Sequence, residues 1–253
     1  LGRELRGEAL FDGASRGRYA TDASIYQIEP IGVVVPHDEA DVVRAIQIAG
    51  DEGIPILPRG GGSSQCGQTV GEALVLDVSK NLAGVIALDV EKRRVTVQPG
   101  LVLDQLNDYL RPHGLYFPVD VSTSSRATIG GMAGNNSCGA RSIRYGRMVE
   151  NVHAIDALLA DGEKLHFGPL PGDFQAAHIP QKFRDIATPL LDLGRREAAE
   201  IAARFPDLQR RVGGYNIDAL VPGSGSENLA HLLVGSEGTL AFSTAIELNL
   251  API

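Results

Sequence analysis

At 253 residues, with 43% hydrophobic and 21% charged residues, the chain has the composition of a soluble globular protein with ample core. A formal net charge of −8 argues against a nucleic-acid or anionic-membrane partner, and no apolar run approaches the ~20 residues of a membrane-spanning helix. Two cysteines, Cys66 and Cys138, exclude a disulfide framework or a four-thiolate metal site and imply reduced thiols in a cytoplasmic protein.

Residues 1–30 are polar and mixed, carry no apolar signal-peptide segment, and read as an extended lead-in with little structure of their own. Gly32-Val33-Val34-Val35 is a short buried strand stopped by Pro36. Asp38 is a good N-cap, with Asp41 three residues on in place of the Glu of a capping box. Val42, Val43, Ile46 and Ala49 follow at helical spacing until Gly53. Ile54-Pro55-Ile56-Leu57 is the next strand, then a glycine loop, then a strand over 74–78. Together, 31–84 form a small β-α-β unit.

A hairpin is expected over 85–89 and 94–98, followed by a helix with Leu103, Leu106 and Leu110 on one face. A second glycine cluster runs from Thr128 to Gly139. Strands over 152–159 and 164–167 flank an Asp161-Gly162 turn, and 169–180 is a Pro-rich loop. A helix over 183–203 is expected to break near Pro189. Residues 229–234 read as a strand, Gly235 to Leu240 as a third glycine-containing turn, and 241–250 as a final alternating strand. The order of elements gives an α+β fold, a small N-terminal unit against a larger antiparallel sheet over 85–253.

The chemistry concentrates in Pro58-Arg59-Gly60-Gly61-Gly62-Ser63-Ser64-Gln65-Cys66-Gly67-Gln68. Three consecutive glycines let successive N–H groups converge on one point and reach positive φ cheaply, a concavity suited to a diphosphate. Arg59 adds charge; Ser63, Ser64 and Gln65 add donors. The loop lacks the Gly-Lys-Ser/Thr of a Walker loop and the Gly-x-Gly-x-x-Gly of a dinucleotide-binding helix start. A plain tight turn is the competing reading.

Three glycine clusters, each expected to follow a strand, resemble the FAD-binding domain of the FAD-linked oxidases, the fold of p-cresol methylhydroxylase (PCMH-type) and vanillyl-alcohol oxidase. Arg144-Tyr145-Gly146, Ala160-Asp161-Gly162 and Gly235-Ser236-Glu237-Gly238-Thr239-Leu240 match as well. Within that fold the chain is similar to the D-lactate, glycolate and D-2-hydroxyglutarate dehydrogenase branch. The runs Ser64 to Gln68 and Val121 to Ala127 are most similar to its large members, which carry an iron–sulfur domain. The resemblance implies two α+β subdomains with FAD between them, and a hydride passing from C2 of a small 2-hydroxy acid to flavin N5; the alternatives are an FAD-binding module without dehydrogenase activity of its own, or a flavoenzyme of the same fold acting on an alcohol or an enolpyruvyl sugar nucleotide. It implies an electron acceptor, with an iron–sulfur domain among the options. By the same resemblance Arg59, Gly60, Gly61, Gly62, Ser63, Ser64, Gln65 and Gly67 wrap the diphosphate. Thr128, Ile129, Gly130, Gly131, Gly134, Asn135, Asn136 and Gly139 run along the diphosphate, ribityl chain and flavin ring. Pro118 and Asp120 belong to the pocket wall, and Glu237 with Gly238 closes the adenosine end. Some relatives tether FAD through a loop histidine; Gly62, Ser63 and Ser64 stand there instead, so the flavin is expected to be noncovalent.

Other candidates have plainer readings. Cys66 and Cys138 read as small fillers rather than redox partners, and the six histidines show no metal-ligand spacing. Arg141, Arg144 and Arg147 follow the second cluster and could face a substrate carboxylate, though solvated or structural roles are the readier account. Tyr215-Asn216 could edge the pocket. The chain starts without Met and stops after a strand-like run, so it reads as a piece of a longer protein. The family's catalytic and metal-binding histidines are expected in a substrate domain beyond 253, and no catalytic residue is named.

Overall fold

The computed structural model describes residues 1–172, 179–223 and 227–253. The expected Pro-rich loop over 169–180 and His178 therefore fall partly or wholly outside the described residues.

The first sheet is built on a parallel crossover. Its elements are β1 (Glu8–Leu10), α1 (Gly13–Tyr19), β2 (Gly32–Val35), α2 (Glu39–Asp51), β3 (Ile56–Arg59) and β4 (Leu74–Asp77). The strands lie in the order β1-β2-β4-β3, with β4 parallel to both β2 and β3. The valine run of β2 is continuous because both faces are covered: Val34 packs into the α2 core, Val33 and Val35 against Val75. α2 buries Val42, Ala45, Ile46 and Ala49, and Asp38 caps it by accepting from the Asp41 N–H at 3.2 Å. Asp41 does not close a capping box. Its buried carboxylate accepts from the N–H groups of Arg6, Gly7 and His37 at 2.7–2.9 Å, fastening the N-terminal segment.

That fastening corrects the expectation for residues 1–30. β1 pairs antiparallel with the free edge of β2, and α1 starts at the Asp12 cap. The polar composition hid the strand because its partner lies about 25 residues away on the chain.

The second sheet is antiparallel. In chain order the remaining elements are β5 (Val85–Asp89), β6 (Arg94–Val97), α3 (Leu103–Leu110), β7 (Leu115–Tyr116), α4 (Ile129–Asn135), α5 (Ser142–Tyr145), α6 (Met148–Asn151), β8 (Val152–Leu158), β9 (Lys164–Phe167), α7 (Gln181–Arg196), α8 (Ala198–Arg204), α9 (Ala230–Leu233), β10 (Phe242–Asn249) and β11 (Ala251–Pro252). The sheet order is β5-β6-β10-β8-β9, so the last long strand sits at the centre. Its core draws in Leu103, Leu106, Phe117, Ile129, Met148 and Ile246. Leu158 and Phe242, at the ends of β8 and β10, pack into the α2 core instead, which joins the two sheets.

Three sequence expectations change here. Within 229–234, Ala230–Leu233 form the short helix α9, not a strand; a six-residue apolar run interrupted only by His231 is too short to separate the two periodicities, and all its apolar residues are buried. α7 continues through Pro189 and breaks at Glu197, since proline removes one N–H while Phe183, Ala187 and Gly194 hold the helix in the core. The second glycine cluster contains the helix α4 and does not come just after a strand, since β7 ends at Tyr116 and α4 begins at Ile129.

Among the described residues no helix is long and apolar enough to cross a membrane.

Candidate functional site

β3 delivers Arg59 and the loop after it to the mouth of a cleft of about 450 Å3. Arg59 lines that cleft, but its guanidinium is spent on backbone carbonyls. Its Nη1 donates to the carbonyls of Tyr19 (3.1 Å) and Thr69 (3.0 Å), its Nη2 to that of Thr21 (2.7 Å), and it lies 5.3 Å from the Tyr19 ring centroid. The Tyr19 hydroxyl in turn donates to Asp77 at 2.6 Å; burial and that bond push its pKa up. Burial pushes the Arg59 guanidinium down, offset by Asp22 and Asp77. Its charge therefore folds the loop instead of standing free for a phosphate.

The backbone of the loop is what stands free. Among the described residues, the N–H groups of Gly60 through Gln65 donate to no protein acceptor. Converging, unclaimed N–H groups at a concave surface form an anion site. Gly62 and Gly67 have φ of +61° and +82°, whereas Gly60 and Gly61 do not, so of the three consecutive glycines only the third uses the positive-φ freedom. Close approach makes the first two glycines necessary: a Cβ on Gly60 would stand 2.0 Å from Thr128 Oγ1, and one on Gly61 2.2 Å from the Arg126 carbonyl.

The facing wall is α4. Its first N–H groups are already used, Ile129 on Leu101, Gly130 on Pro99 and Gly131 on the Thr128 hydroxyl, so α4 offers a side-chain-poor surface more than donors. Glu237 bridges the two walls: one carboxylate oxygen accepts from Gln68 (3.3 Å) and Asn135 (3.1 Å). Desolvation pushes its carboxyl above the usual range, against the effect of the two amides.

Of the residues assigned from the sequence, Arg59 to Gln65, Thr128, Gly130, Gly131, Gly134, Asn135, Glu237 and Gly238 line this cleft. The others stand behind it. Gly67 packs on the Tyr26 ring, and Ile129 is fully buried in the core. Asn136, with φ +51°, accepts from the Val149 N–H at 3.0 Å. Pro118 is buried, and Asp120 is wedged against Gly139 and accepts from the Arg141 N–H. Tyr215 bonds to Thr239 and Asn216 to the Val234 carbonyl, so Val212 is the part of that segment that reaches the cleft. Sequence reasoning missed Ser122, Thr123, Phe242 and Ser243, and both cysteines line the cleft too. Ser122 and Thr123 were visible as a hydroxyl-rich run; Phe242 and Ser243 had no signal beyond strand alternation. Among the described residues no histidine lines the cleft, and none form a three-ligand metal cluster with Cys, Asp or Glu.

Residues 30–168 match the FAD binding domain model, more than half of the chain. The chain belongs to that family. The chain binds FAD, and free loop amides facing a side-chain-poor wall fit that cofactor. The chain is 36% identical to a D-2-hydroxyglutarate dehydrogenase of Pseudomonas putida, over 98% of the chain and 25% of that protein. It is 31% identical to a glycolate oxidase subunit of Bacillus subtilis, over 98% of the chain and 43% of that protein. It thus spans about a quarter of the length of the dehydrogenases it matches. An alkyldihydroxyacetonephosphate synthase superposes with a TM-score of 0.67 at 18% identity, covering 97% of the chain and 38% of the synthase. The 6-hydroxy-D-nicotine oxidase of Arthrobacter nicotinovorans gives 0.66 at 16%, covering 98% and 43%. These likenesses bear out the α+β, PCMH-type FAD-binding fold.

Proposed function

We propose that this FAD-binding chain is part of a flavin-dependent dehydrogenase of D-2-hydroxy acids, of the D-lactate, glycolate or D-2-hydroxyglutarate type. The observation that carries this is the pairing of free loop amides with the α4 wall, in a chain 36% identical to a D-2-hydroxyglutarate dehydrogenase. When bound, the flavin supplies the hydride acceptor for C2 of the acid. The loop holds the diphosphate, α4 backs the flat ring, and Glu237 ties the lips together. The absence of histidine from the cleft walls, among the described residues, favours noncovalent flavin and a base supplied by another part of the protein. A further substrate domain, a cytoplasmic setting and an electron acceptor, with an iron–sulfur domain among the candidates, complete the reading. So does a division of the chain into units at 31–84 and 85–253.

Two measurements test it. Acid precipitation should release all yellow colour into the supernatant; colour in the pellet would refute noncovalent binding. Anaerobic mixing with D-lactate, glycolate, D-malate and D-2-hydroxyglutarate should bleach the flavin of the whole protein and leave that of residues 1–253 unchanged. Rapid bleaching of the short chain would show that the base lies within it.

A further inference from the structure

Among the described residues that line the flavin cleft, Glu237 is the one acidic side chain and Arg59 the one basic side chain. The guanidinium is committed to three backbone carbonyls, so the cleft keeps no side-chain cation to offset the carboxylate. A lone carboxylate is an odd wall for a site that takes a diphosphate, because like charges disfavour each other's ionised form.

The carboxyl is held in that place. Its Oε1 accepts from Gln68 and Asn135, which leaves Oε2 with no protein donor among the described residues. Gln68 lies three residues past Gln65, the last of the free loop amides, no more than about 11 Å of extended chain. The anion site and the carboxyl therefore share one short loop. Glu237 is exposed in the open cleft, and desolvation already raises its pKa against the two amides. A cofactor that fills the cleft removes more solvent and adds an ionised diphosphate, and both favour the neutral acid. The other titratable groups on the surrounding elements are Arg59 and Cys66 on the loop, Cys138 after α4, Tyr215, bonded to Thr239, and His231 on α9; α4 carries none. Burial holds the His231 pKa low, so it supplies no cation at neutral pH.

We propose that FAD loading takes up one proton from solvent at Glu237. The neutral carboxyl keeps Oε1 on both amides and turns Oε2 into an O–H donor, and the proton returns to solvent when FAD leaves. This rests on the reading that the loop holds the diphosphate. The pKa of Glu237 is then higher with FAD than without it. Affinity is full below the free-protein value, falls by up to about tenfold per pH unit as pH rises between the two values, and levels off above the loaded one.

The test is the FAD dissociation constant of the apoprotein from pH 5.5 to pH 8.5, together with FAD release from the loaded protein over the same range. Calorimetry in two buffers of different ionisation enthalpy counts the protons. The parent should weaken at least fivefold across the range and take up close to one proton where the slope is steepest. Glu237→Gln keeps an oxygen for Gln68 and Asn135 and carries an NH2 in place of the O–H. It should lose the slope and the proton uptake, and bind FAD more tightly than the parent at pH 8.5. A flat parent profile, the same slope in the variant, or a variant weaker than the parent at pH 8.5 would overturn the proposal. Gly61→Ala separates the two readings. If it weakens FAD while the parent profile is flat, the loop reading stands and proton uptake fails; if it leaves FAD affinity intact, both fall.

Discussion

Asn135 donates its side-chain amide to Glu237 at 3.1 Å, joining residues 102 positions apart in the sequence. The same carboxylate oxygen takes the Gln68 amide, so one atom ties the glycine loop to the end of α4. Glu237 holds this place in the left-handed region, at φ +52°, with its N–H donating to the Gly134 carbonyl at 2.9 Å.

Removing that tie should open the cleft without unfolding it. Glu237→Ala should speed FAD release by about threefold to tenfold, the equivalent of one ordinary hydrogen bond lost. Flavin fluorescence recovery after dilution measures the rate. An unchanged rate would mean that the bridge does not restrain the loop.

The glycines divide by geometry. Gly61→Ala forces a Cβ to 2.2 Å from a backbone carbonyl, whereas Gly131→Ala meets the Thr128 hydroxyl at 3.2 Å. Overpacking of the first kind costs about 1–3 kcal/mol, the second under about 1 kcal/mol. Apo melting temperatures and FAD dissociation constants should therefore suffer at Gly61 and barely move at Gly131. Equal effects would contradict the close approach as the reason for glycine.

Arg59→Ala leaves the carbonyls of Tyr19, Thr21 and Thr69 without their donor. A loss of about 2–4 kcal/mol in the apo protein is expected, and Arg59→Lys should restore only part because an ammonium cannot reproduce the fork. Thermal unfolding of the apo protein reads this directly. If only FAD affinity fell and stability held, Arg59 would be a ligand contact and not a loop brace.

On the outer face of the second sheet, His166 Nδ1 meets Asp156 Oδ1 at 2.7 Å. The bond to Asp156 raises the His166 pKa above 6.5, and the bond to His166 lowers that of Asp156 below 3.8. The histidine's contribution is complete below 6.5 and fades as pH climbs through its raised value. The aspartate's is complete above the usual carboxylate range and fades as pH falls through its lowered value. With the His166 side chain 67% exposed, the pair contributes under about 1 kcal/mol. Urea unfolding of His166→Gln beside the parent should show a small gap at pH 5.5 that closes at pH 8.5. A gap that persists at pH 8.5 would assign it to packing.

Local pattern determined much of this protein. The valine run of β2, the capped stripe of α2, the hairpin of β5 and β6 and the three-glycine loop all declare themselves through neighbours a few residues apart. A diphosphate site was legible for the same reason, because it needs only consecutive glycines, whereas FAD as the bound group was legible through the resemblance of several motifs, in order along the chain, to the FAD-linked oxidases. Tertiary structure decided the rest through partners distant on the chain. β1 became a strand because β2 offered an edge, and 230–233 became a helix because a short, mostly apolar run leaves too little periodicity to separate helix from strand. Only packing set Arg59 facing inward on three carbonyls and made Gly61 indispensable through Arg126. A side chain's direction and its partner are set by contacts that no local window contains.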